Sequence, residues 1–170
     1  DVCSSDLKTS VSVFYTLSWN WRKFDDIWPD WYLDRNDNRH KITVAANHRF
    51  SEKFEIYASW NYHTGNRMTV ASQYLPKEEG SFIGDFLYES PNNAKMPDYH
   101  RLDVGFNFYR KTKRGNMSVW NLSVYNAYCR INPLFAMVKR ENSAGKHIAF
   151  KGSGIGLIPI VPTFSYTFRF

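Results

Sequence analysis

Asp98 and His100 have the spacing of a possible catalytic pair, because a carboxylate and an imidazole close together can act as acid and base. Ser90 or Asp85 could serve as a further partner. Hydrolases of known type carry a nucleophile elbow or a zinc-binding helix motif, and the sequence contains neither GxSxG nor HExxH. We therefore interpret Asp98 and His100 as a structural polar pair and predict that the chain is not an enzyme.

Metal-ligating residue types are scattered along the chain. The five histidines are His40, His48, His63, His100 and His147, and the two cysteines are Cys3 and Cys129. None of them stands at the spacing of a metal site, and two cysteines do not make a disulfide framework. The sequence thus predicts no metal and no cofactor.

Aromatic residues make up 18% of the chain, and several lie in connections between regular segments. Aromatic faces stack on sugars and planar chelators, so exposed rings in such connections indicate a binding surface. The alternative is that these rings pack the connections against one another. The candidate ligand-facing residues are Trp28, Trp31, Tyr32, Tyr74 and Phe82.

The net charge is +6, and its distribution argues against nucleic acid. Arg110, Lys111, Lys113 and Arg114 crowd one predicted turn, where they can meet anionic headgroups. A nucleic-acid site interleaves aromatic and basic residues on one surface, whereas the strand aromatics here lie opposite the polar set. We expect no nucleic-acid partner.

The segments that must position these residues alternate between apolar and polar side chains with a period of two, which is typical of β-strands. No run of about 18 apolar residues is present, so a transmembrane helix is not expected. Strands are predicted at 11–21, 42–50, 54–62, 102–108, 120–124 and 164–170, with the last two extended through 135–138 and 148–150.

The predicted connections alternate in length. Tight turns fall at 51–53 and 110–115, whereas 23–38 and 66–97 are long. Every second connection is therefore long, which places all the long loops at one rim of the sheet. Prolines 133, 159 and 162 are expected at bulges or bends, because proline cannot donate to the ladder.

Two antiparallel architectures produce this pattern. A soluble β-sandwich buries the apolar face against a second sheet, whereas an outer-membrane β-barrel turns it towards lipid and has short turns at one rim and long loops at the other. Strands of about ten residues suit a crossing of about 30 Å of hydrocarbon, and aromatic residues cluster at the strand ends. The prediction is an all-β fold, an antiparallel transmembrane β-barrel segment of about six strands.

Six strands are too few to close a membrane barrel, since the smallest have about eight. The segment 1–7 also reads as the in-frame translation of a sequencing adapter. We therefore expect residues 8–170 to be the C-terminal part of a larger barrel.

Several segments resemble the last strands of TonB-dependent outer-membrane receptors. The likeness is strongest over 98–170 and covers nearly all of 8–170. It rests on His100-Arg-Leu-Asp-Val-Gly-Phe-Asn-Phe-Tyr-Arg-Lys111, Trp120-Asn-Leu-Ser-Val-Tyr-Asn-Ala-Tyr128, the Asn132-Pro133 that follows, and Pro162-Thr-Phe-Ser-Tyr-Thr-Phe-Arg-Phe170. Segments 37–42 and 62–65 are similar to the preceding hairpin of that family.

The resemblance implies a roughly 22-stranded barrel around an N-terminal plug, in the outer membrane of a Gram-negative bacterium. It also implies TonB-energised uptake of a scarce ligand, such as an iron chelate, cobalamin, an oligosaccharide or a peptide. The implied partners are outer-membrane lipid, the chain's own plug, the TonB complex, the barrel-assembly machinery and, in one branch, a surface lipoprotein.

Two residue groups acquire expected roles from this resemblance. Polar residues facing the lumen would contact the plug: Tyr57, Asn61, Arg101, Asp103 and Asn107. The aromatic residues of the last strand resemble the signal read by the assembly machinery: Phe164, Tyr166, Phe168 and Phe170. The alternatives are an outer-membrane barrel hydrolase and a soluble β-sandwich binding module.

Overall fold

The computed structural model describes residues 8–75, 85–113, 115–133, 135–142, 148–156 and 159–170, and the predicted adapter 1–7 lies outside them. Strands dominate the described residues, none of which is helical. The strands are β1 (Thr9–Leu17), β2 (Trp21–Phe24), β3 (Trp28–Leu33), β4 (His40–Ser51), β5 (Phe54–His63), β6 (Arg67–Met68), β7 (Gln73–Leu75), β8 (Asp85–Leu87), β9 (Ala94–Lys95), β10 (Tyr99–Lys111), β11 (Met117–Tyr125), β12 (Phe135–Asn142), β13 (Ile148–Ile155) and β14 (Val161–Arg169). Within the described residues, no helix has the length and apolarity needed to cross a membrane.

Six long strands form one antiparallel sheet in the order β1-β4-β5-β10-β11-β14. Each of them pairs with the next long strand along the chain, so the sheet is an up-and-down meander. Four two-stranded ladders, β2-β3, β6-β9, β7-β8 and β12-β13, branch from it. The all-β antiparallel fold predicted from the alternation is confirmed.

The register of the sheet gathers apolar side chains on one face, which we call the apolar face. Phe54 pairs with Phe108, Phe108 with Trp120, and Trp120 with Tyr166. The next row lies on the opposite, polar face, and it joins the four residues Glu55, Asn107, Asn121 and Ser165. Because side chains alternate along each strand, one register fixes the composition of both faces.

The connections segregate by length as predicted. Turns 52–53 and 112–116 lie at one end of the sheet, the short-turn rim. The three excursions 18–39, 64–98 and 126–160 leave from the other end, the long-loop rim. The long connections are therefore gathered at one rim by chain topology alone.

The first predicted strand is too long. β1 ends at Leu17, and Trp21 begins the separate hairpin β2-β3. The backbone leaves the sheet because Asn20 donates its N–H to Asp37 Oδ1 at 3.1 Å and accepts the N–H of Asp34 at 2.9 Å. In the sequence, aromatic residues continue to alternate with polar ones through this change of direction. The period of two therefore does not show where β1 ends.

The long connections are more ordered than the sequence pattern indicates. Loop 23–38 holds most of hairpin β2-β3, and loop 66–97 holds the ladders β6-β9 and β7-β8. Their strands have two to six residues, too few for a period of two to stand out. Segments 135–138 and 148–150 belong to their own ladder, β12-β13, and do not extend the main strands.

Pro162 also departs from the expectation of a bend. It lies within β14 and pairs with Val124. β14 has a neighbour on one side only in the described sheet. Proline, which has no N–H to donate, is tolerated on such an edge strand.

Burial is the reverse of the usual pattern in globular proteins. Among the described residues, the only buried hydrophobic side chains are Tyr32 and Met96. Buried polar residues are more numerous, and they are Asp34, Asp37, Asn38, Ser118 and Asn126. Large apolar residues of the six-stranded sheet are exposed instead, with Val13 at 66%, Leu122 at 49% and Phe164 at 62%.

Asn126 ends β11 in a left-handed conformation, with φ of 56°, and is 1% exposed. Its side-chain amide donates to the carbonyls of Arg130, at 2.8 Å, and Pro159, while its Oδ1 accepts the N–H of Arg130 at 3.2 Å. Its own N–H donates to Asp103 Oδ1 at 3.0 Å. One residue thus joins the end of β11 to β10 and to the chain leading into β14.

We expect Asn126→Ala to lower the free energy of unfolding by about 2 kcal/mol, because it removes buried hydrogen bonds and places alanine at a positive φ. Asn126→Gly loses the same bonds without the backbone strain and should be less damaging by about 1 kcal/mol. Urea unfolding followed by tryptophan fluorescence measures both. Equal losses in the two variants would show that the left-handed backbone contributes nothing.

Candidate functional site on the polar face and the long-loop rim

The polar face carries a hydrogen-bonded cluster across three adjacent strands. Asn121 on β11 donates its amide N–H groups to Tyr57 Oη on β5 at 2.9 Å and to Asn107 Oδ1 on β10 at 2.7 Å. These three side chains are half-buried, and they cover one another within the same sheet. The sheet therefore satisfies much of its polar surface with its own side chains.

Tyr57 reaches Asn121 by lying flat across Gly105. The two residues are direct cross-strand neighbours, and a Cβ built on Gly105 would overlap the phenol ring of Tyr57. A larger residue at position 105 would push the ring away from Asn121. The glycine is required here for space, since it lets a ring cover the intervening strand.

Arg101 organises a second cluster nearer the long-loop rim. Its Nε donates to Asp103 Oδ2 at 2.9 Å, and one terminal nitrogen donates to the hydroxyls of Tyr99 at 2.9 Å and Tyr125 at 2.6 Å. The guanidinium carbon also lies 4.0 Å from the centre of the Tyr125 ring. The planar guanidinium is fixed by ion-pair, hydrogen-bond and cation–π contacts at once.

All five residues predicted to face a lumen lie on the polar face: Tyr57, Asn61, Arg101, Asp103 and Asn107. Asn61 accepts from Thr43 Oγ1 at 3.0 Å and donates to Ser59 Oγ at 3.2 Å. Every one of the five is thus hydrogen-bonded within the sheet. Their contact with a plug stays a prediction.

Asp98 anchors the chain where it re-enters the sheet at the long-loop rim. Its Oδ2 accepts from Tyr62 Oη at 2.8 Å, and its Oδ1 accepts from the Gly65 N–H at 2.9 Å and from Lys95 Nζ at 2.6 Å. A Cβ on Gly65 would collide with the carbonyl oxygen of Met96. The glycine therefore lets the two chain segments pass close enough for the carboxylate to join them.

These contacts decide the ionisation of Asp98. Burial favours the neutral carboxylic acid, but the hydrogen bonds from Lys95, Gly65 and Tyr62 and the charge of Lys95 outweigh it. The pKa of Asp98 falls from 3.8 to about 2. A carboxylate held this strongly ionised is suited to structural anchoring and unsuited to donating a proton at neutral pH.

His100 and Asp98 have different hydrogen-bond partners in this structure. Its Nδ1 lies 2.6 Å from Tyr128 Oη, and its backbone N–H donates to Asn132 Oδ1 at 3.2 Å. Within the described residues, neither Asp98 nor His100 hydrogen bonds to the other or to Ser90, and the side chain of Asp85 lies outside that part of the chain. The spacing that resembles a catalytic pair is used for two separate anchors.

Asp37 forms a second anchor that sequence reasoning did not assign. Its side chain is 1% exposed and lies 3.3 Å from an Arg39 nitrogen and 3.5 Å from Arg67 Nε. The neighbouring Asn38 donates to the Thr64 carbonyl at 2.8 Å and to Asn66 Oδ1 at 2.6 Å. The sequence resemblance includes segment 37–42, but the turn-like composition of this segment does not indicate which distant cations Asp37 contacts.

The candidate loop aromatics differ in their exposure. Trp31 is 66% exposed, Trp28 is half-buried, and Tyr32 is buried at 9%. Little of the Tyr32 ring is therefore accessible in this structure, and its role as a ligand-facing residue stays a prediction. Phe82 and the side chain of Tyr74 lie outside the described part of the chain. Trp31 is the remaining candidate with an open aromatic face.

No cluster of three or more histidine, cysteine, aspartate or glutamate side chains occurs among the described residues. Comparisons of the chain with protein-family models, with curated proteins and with solved structures found no match. The features of the molecule that bear on its function are the geometry of the sheet, its two faces and its two rims.

We expect acid to weaken the fold through Asp98. Because its pKa is lower in the folded protein than 3.8, its contribution is complete above that pH and is lost as the pH falls towards about 2. The side chain is about one-third exposed, so we expect only roughly 1 kcal/mol after solvent screening. Urea unfolding at pH 6, about 4 and about 2.5 should show a steeper loss in the native protein than in Asp98→Asn.

Gly105→Ala should lower the free energy of unfolding by about 1–3 kcal/mol, because the new methyl group displaces the Tyr57 ring. In a Tyr57→Ala background the same substitution should cost almost nothing. A double-mutant cycle by urea unfolding gives the coupling between the two positions. Strictly additive losses would contradict the proposed overlap.

Proposed function

We propose that this chain forms part of the wall of an outer-membrane transporter, with the apolar face towards lipid and the polar face towards a lumen. The observation that carries the proposal is the division of the sheet. Large apolar side chains such as Val13 and Phe164 are exposed on one face, while the other face pairs its polar groups with one another. Lipid is the solvent in which such an apolar surface is stable.

Strand length supports the same orientation. The six long strands have 9 to 13 residues, and a tilted strand of about 9–11 residues crosses the hydrocarbon core. Their two outer members, β1 and β14, have unpaired edges in the described sheet. We infer that further strands complete a barrel, of which this sheet is the C-terminal part.

Aromatic residues at both rims fit the two membrane interfaces. Trp19 and Trp21 lie at the long-loop rim, and Phe50 and Phe108 lie at the short-turn rim. All four side chains are exposed. Rings with an apolar body favour the boundary between headgroups and hydrocarbon. In this proposal the long-loop rim faces the outside of the cell.

We infer TonB-energised uptake of a scarce ligand as the activity, with an iron chelate, cobalamin, an oligosaccharide or a peptide as the candidate classes. The long excursions and the exposed Trp31 would meet the ligand outside, and the polar face would line its route around a plug. The proposed partners are outer-membrane lipid, the plug, the TonB complex, the assembly machinery and a surface lipoprotein. The aromatic residues Phe164, Tyr166 and Phe168 of β14 and the adjoining Phe170 would be the assembly signal.

Val13 and Ser12 provide a matched test of the lipid-facing surface, because they are adjacent, exposed and on opposite faces of β1. Val13→Arg should cost about 2–4 kcal/mol of folding free energy in lipid and reduce the amount assembled in the outer membrane. Ser12→Arg should change the folding free energy by less than about 1 kcal/mol. If the apolar face met water, arginine at position 13 would be tolerated as well as at position 12, and the protein would fractionate with soluble proteins.

Uptake can be measured in cells that produce the protein with or without TonB. A panel of labelled ferric chelates, cobalamin, oligosaccharides and peptides should contain one class whose accumulation requires both proteins. Trp31→Ala should weaken binding of that class by roughly 1–3 kcal/mol if the ring stacks on the ligand. TonB-independent accumulation, or hydrolysis of the ligand at the cell surface, would contradict the proposed transport.

A further inference from the structure

An open cleft of about 780 Å³ lies at the short-turn rim. It forms because β10 continues beyond the β4-β5 hairpin. Phe108 is the last residue of β10 that pairs with β5, and the N–H of Tyr109 donates to the Lys53 carbonyl in the turn at 2.9 Å. Arg110 and Lys111 extend past that turn, so a space opens beside them.

The cleft is lined by basic residues with little compensation. Lys53, Arg110 and Lys111 are exposed, and among the described residues none of the three forms an ion pair. Among the described residues that line the cleft, Glu52 is the one that is acidic. Three positive charges against one negative charge make the cleft attractive to an anion.

Arg49 adds a fourth basic side chain and is held in place. Its guanidinium lies 5.3 Å from the centre of the Tyr109 ring, and the Tyr109 hydroxyl donates to Glu55 at 2.5 Å. Glu55 is hydrogen-bonded to Tyr109 on the polar face, and its charge offsets that of Arg49. Arg49 and Tyr109, which line the cleft beside the three cations, are therefore held in place by these contacts.

The long-loop rim treats its cations differently. Arg39 and Arg67 share the carboxylate of Asp37, and Lys95 contacts Asp98 at 2.6 Å. Those basic residues are ion-paired with the anchoring carboxylates of that rim. The grouping of three unpaired cations around one cleft is thus a local feature of the short-turn rim and does not follow from the net charge of +6.

An apolar surface adjoins the basic cleft on one side. Phe108 lines the cleft and is 48% exposed, and its ring centre lies 5.0 Å from that of Phe54. Phe50, which is 59% exposed, continues this surface at 5.4 Å from Phe54. A ligand that follows both surfaces must have an anionic head and an apolar tail.

We propose that this cleft binds the phosphate of an anionic phospholipid headgroup, with the acyl chains lying along Phe108 and Phe50. The inference rests on the proposed membrane location and adds a specific lipid contact at the inner leaflet. Lys53, Arg110 and Lys111 supply the charge that distinguishes an anionic lipid from a zwitterionic one. The adjoining phenylalanines favour a lipid over free phosphate, which has no apolar part to bury.

The test uses the whole protein reconstituted into phosphatidylcholine vesicles that contain a trace of spin-labelled phosphatidylglycerol or phosphatidylcholine. Electron paramagnetic resonance gives the relative association of the two lipids with the protein. We expect a preference of about fivefold or more for phosphatidylglycerol. Combining Lys53→Gln, Arg110→Gln and Lys111→Gln should bring the ratio close to one.

The matched control combines Lys23→Gln, Arg35→Gln and Lys41→Gln. It removes the same charge from exposed positions that lie at or near the long-loop rim, and it should keep the preference. If the triple variant does not insert, single substitutions at the three cleft positions test the proposal instead. Each of them should lose part of the preference for phosphatidylglycerol. Flotation of the vesicles reports insertion separately from lipid preference.

Each contrary result has a distinct meaning. An inserted protein without preference, or a triple variant that keeps it, overturns the headgroup site and leaves the proposed transporter intact. Loss of the preference upon addition of inorganic phosphate at constant ionic strength would indicate a site for the free anion. A protein that remains outside both kinds of vesicle contradicts the headgroup site together with the proposed membrane location.

Discussion

Antiparallel pairing across six strands is the constraint on which the other features of this molecule depend. Because each residue has a fixed partner and side chains alternate, a single register places Phe54, Phe108 and Trp120 in one row and their polar neighbours in the next. A slip by one residue would exchange the two faces of a strand. The two turns of the short-turn rim hold the register of the central strands locally, since few backbone conformations close such short connections.

The polar face illustrates how a single layer satisfies its own side chains. Asn121 bridges to Tyr57 and Asn107, and Arg101 gathers three neighbours around one guanidinium. Each contact is individually modest, but together they order the face without covering it. The resulting surface is polar, and much of it is hydrogen-bonded within the sheet.

The two rims of the sheet differ in how their charged side chains are paired. At the long-loop rim, the carboxylates of Asp37 and Asp98 tie the excursions to the strand ends and form ion pairs with nearby cations. At the short-turn rim the strands are joined by few residues, and the basic side chains there are left to interact with the surroundings. These differences in connection length and ion pairing distinguish the two ends of the sheet from each other, which the strands alone do not.

The sequence alone determined the period of two, the alternation of connection lengths and therefore the all-β meander, because these depend on local side-chain order. It also placed Tyr57, Asn61, Arg101, Asp103 and Asn107 together on the polar face. Only the tertiary structure separated Asp98 from His100, buried Tyr32, assigned Asp37 its role and ended β1 at Leu17. These outcomes depend on contacts between segments far apart in the chain, such as Asn20 with Asp37 or Gly65 with Asp98, and no local pattern encodes which distant group will be within reach of a hydrogen bond.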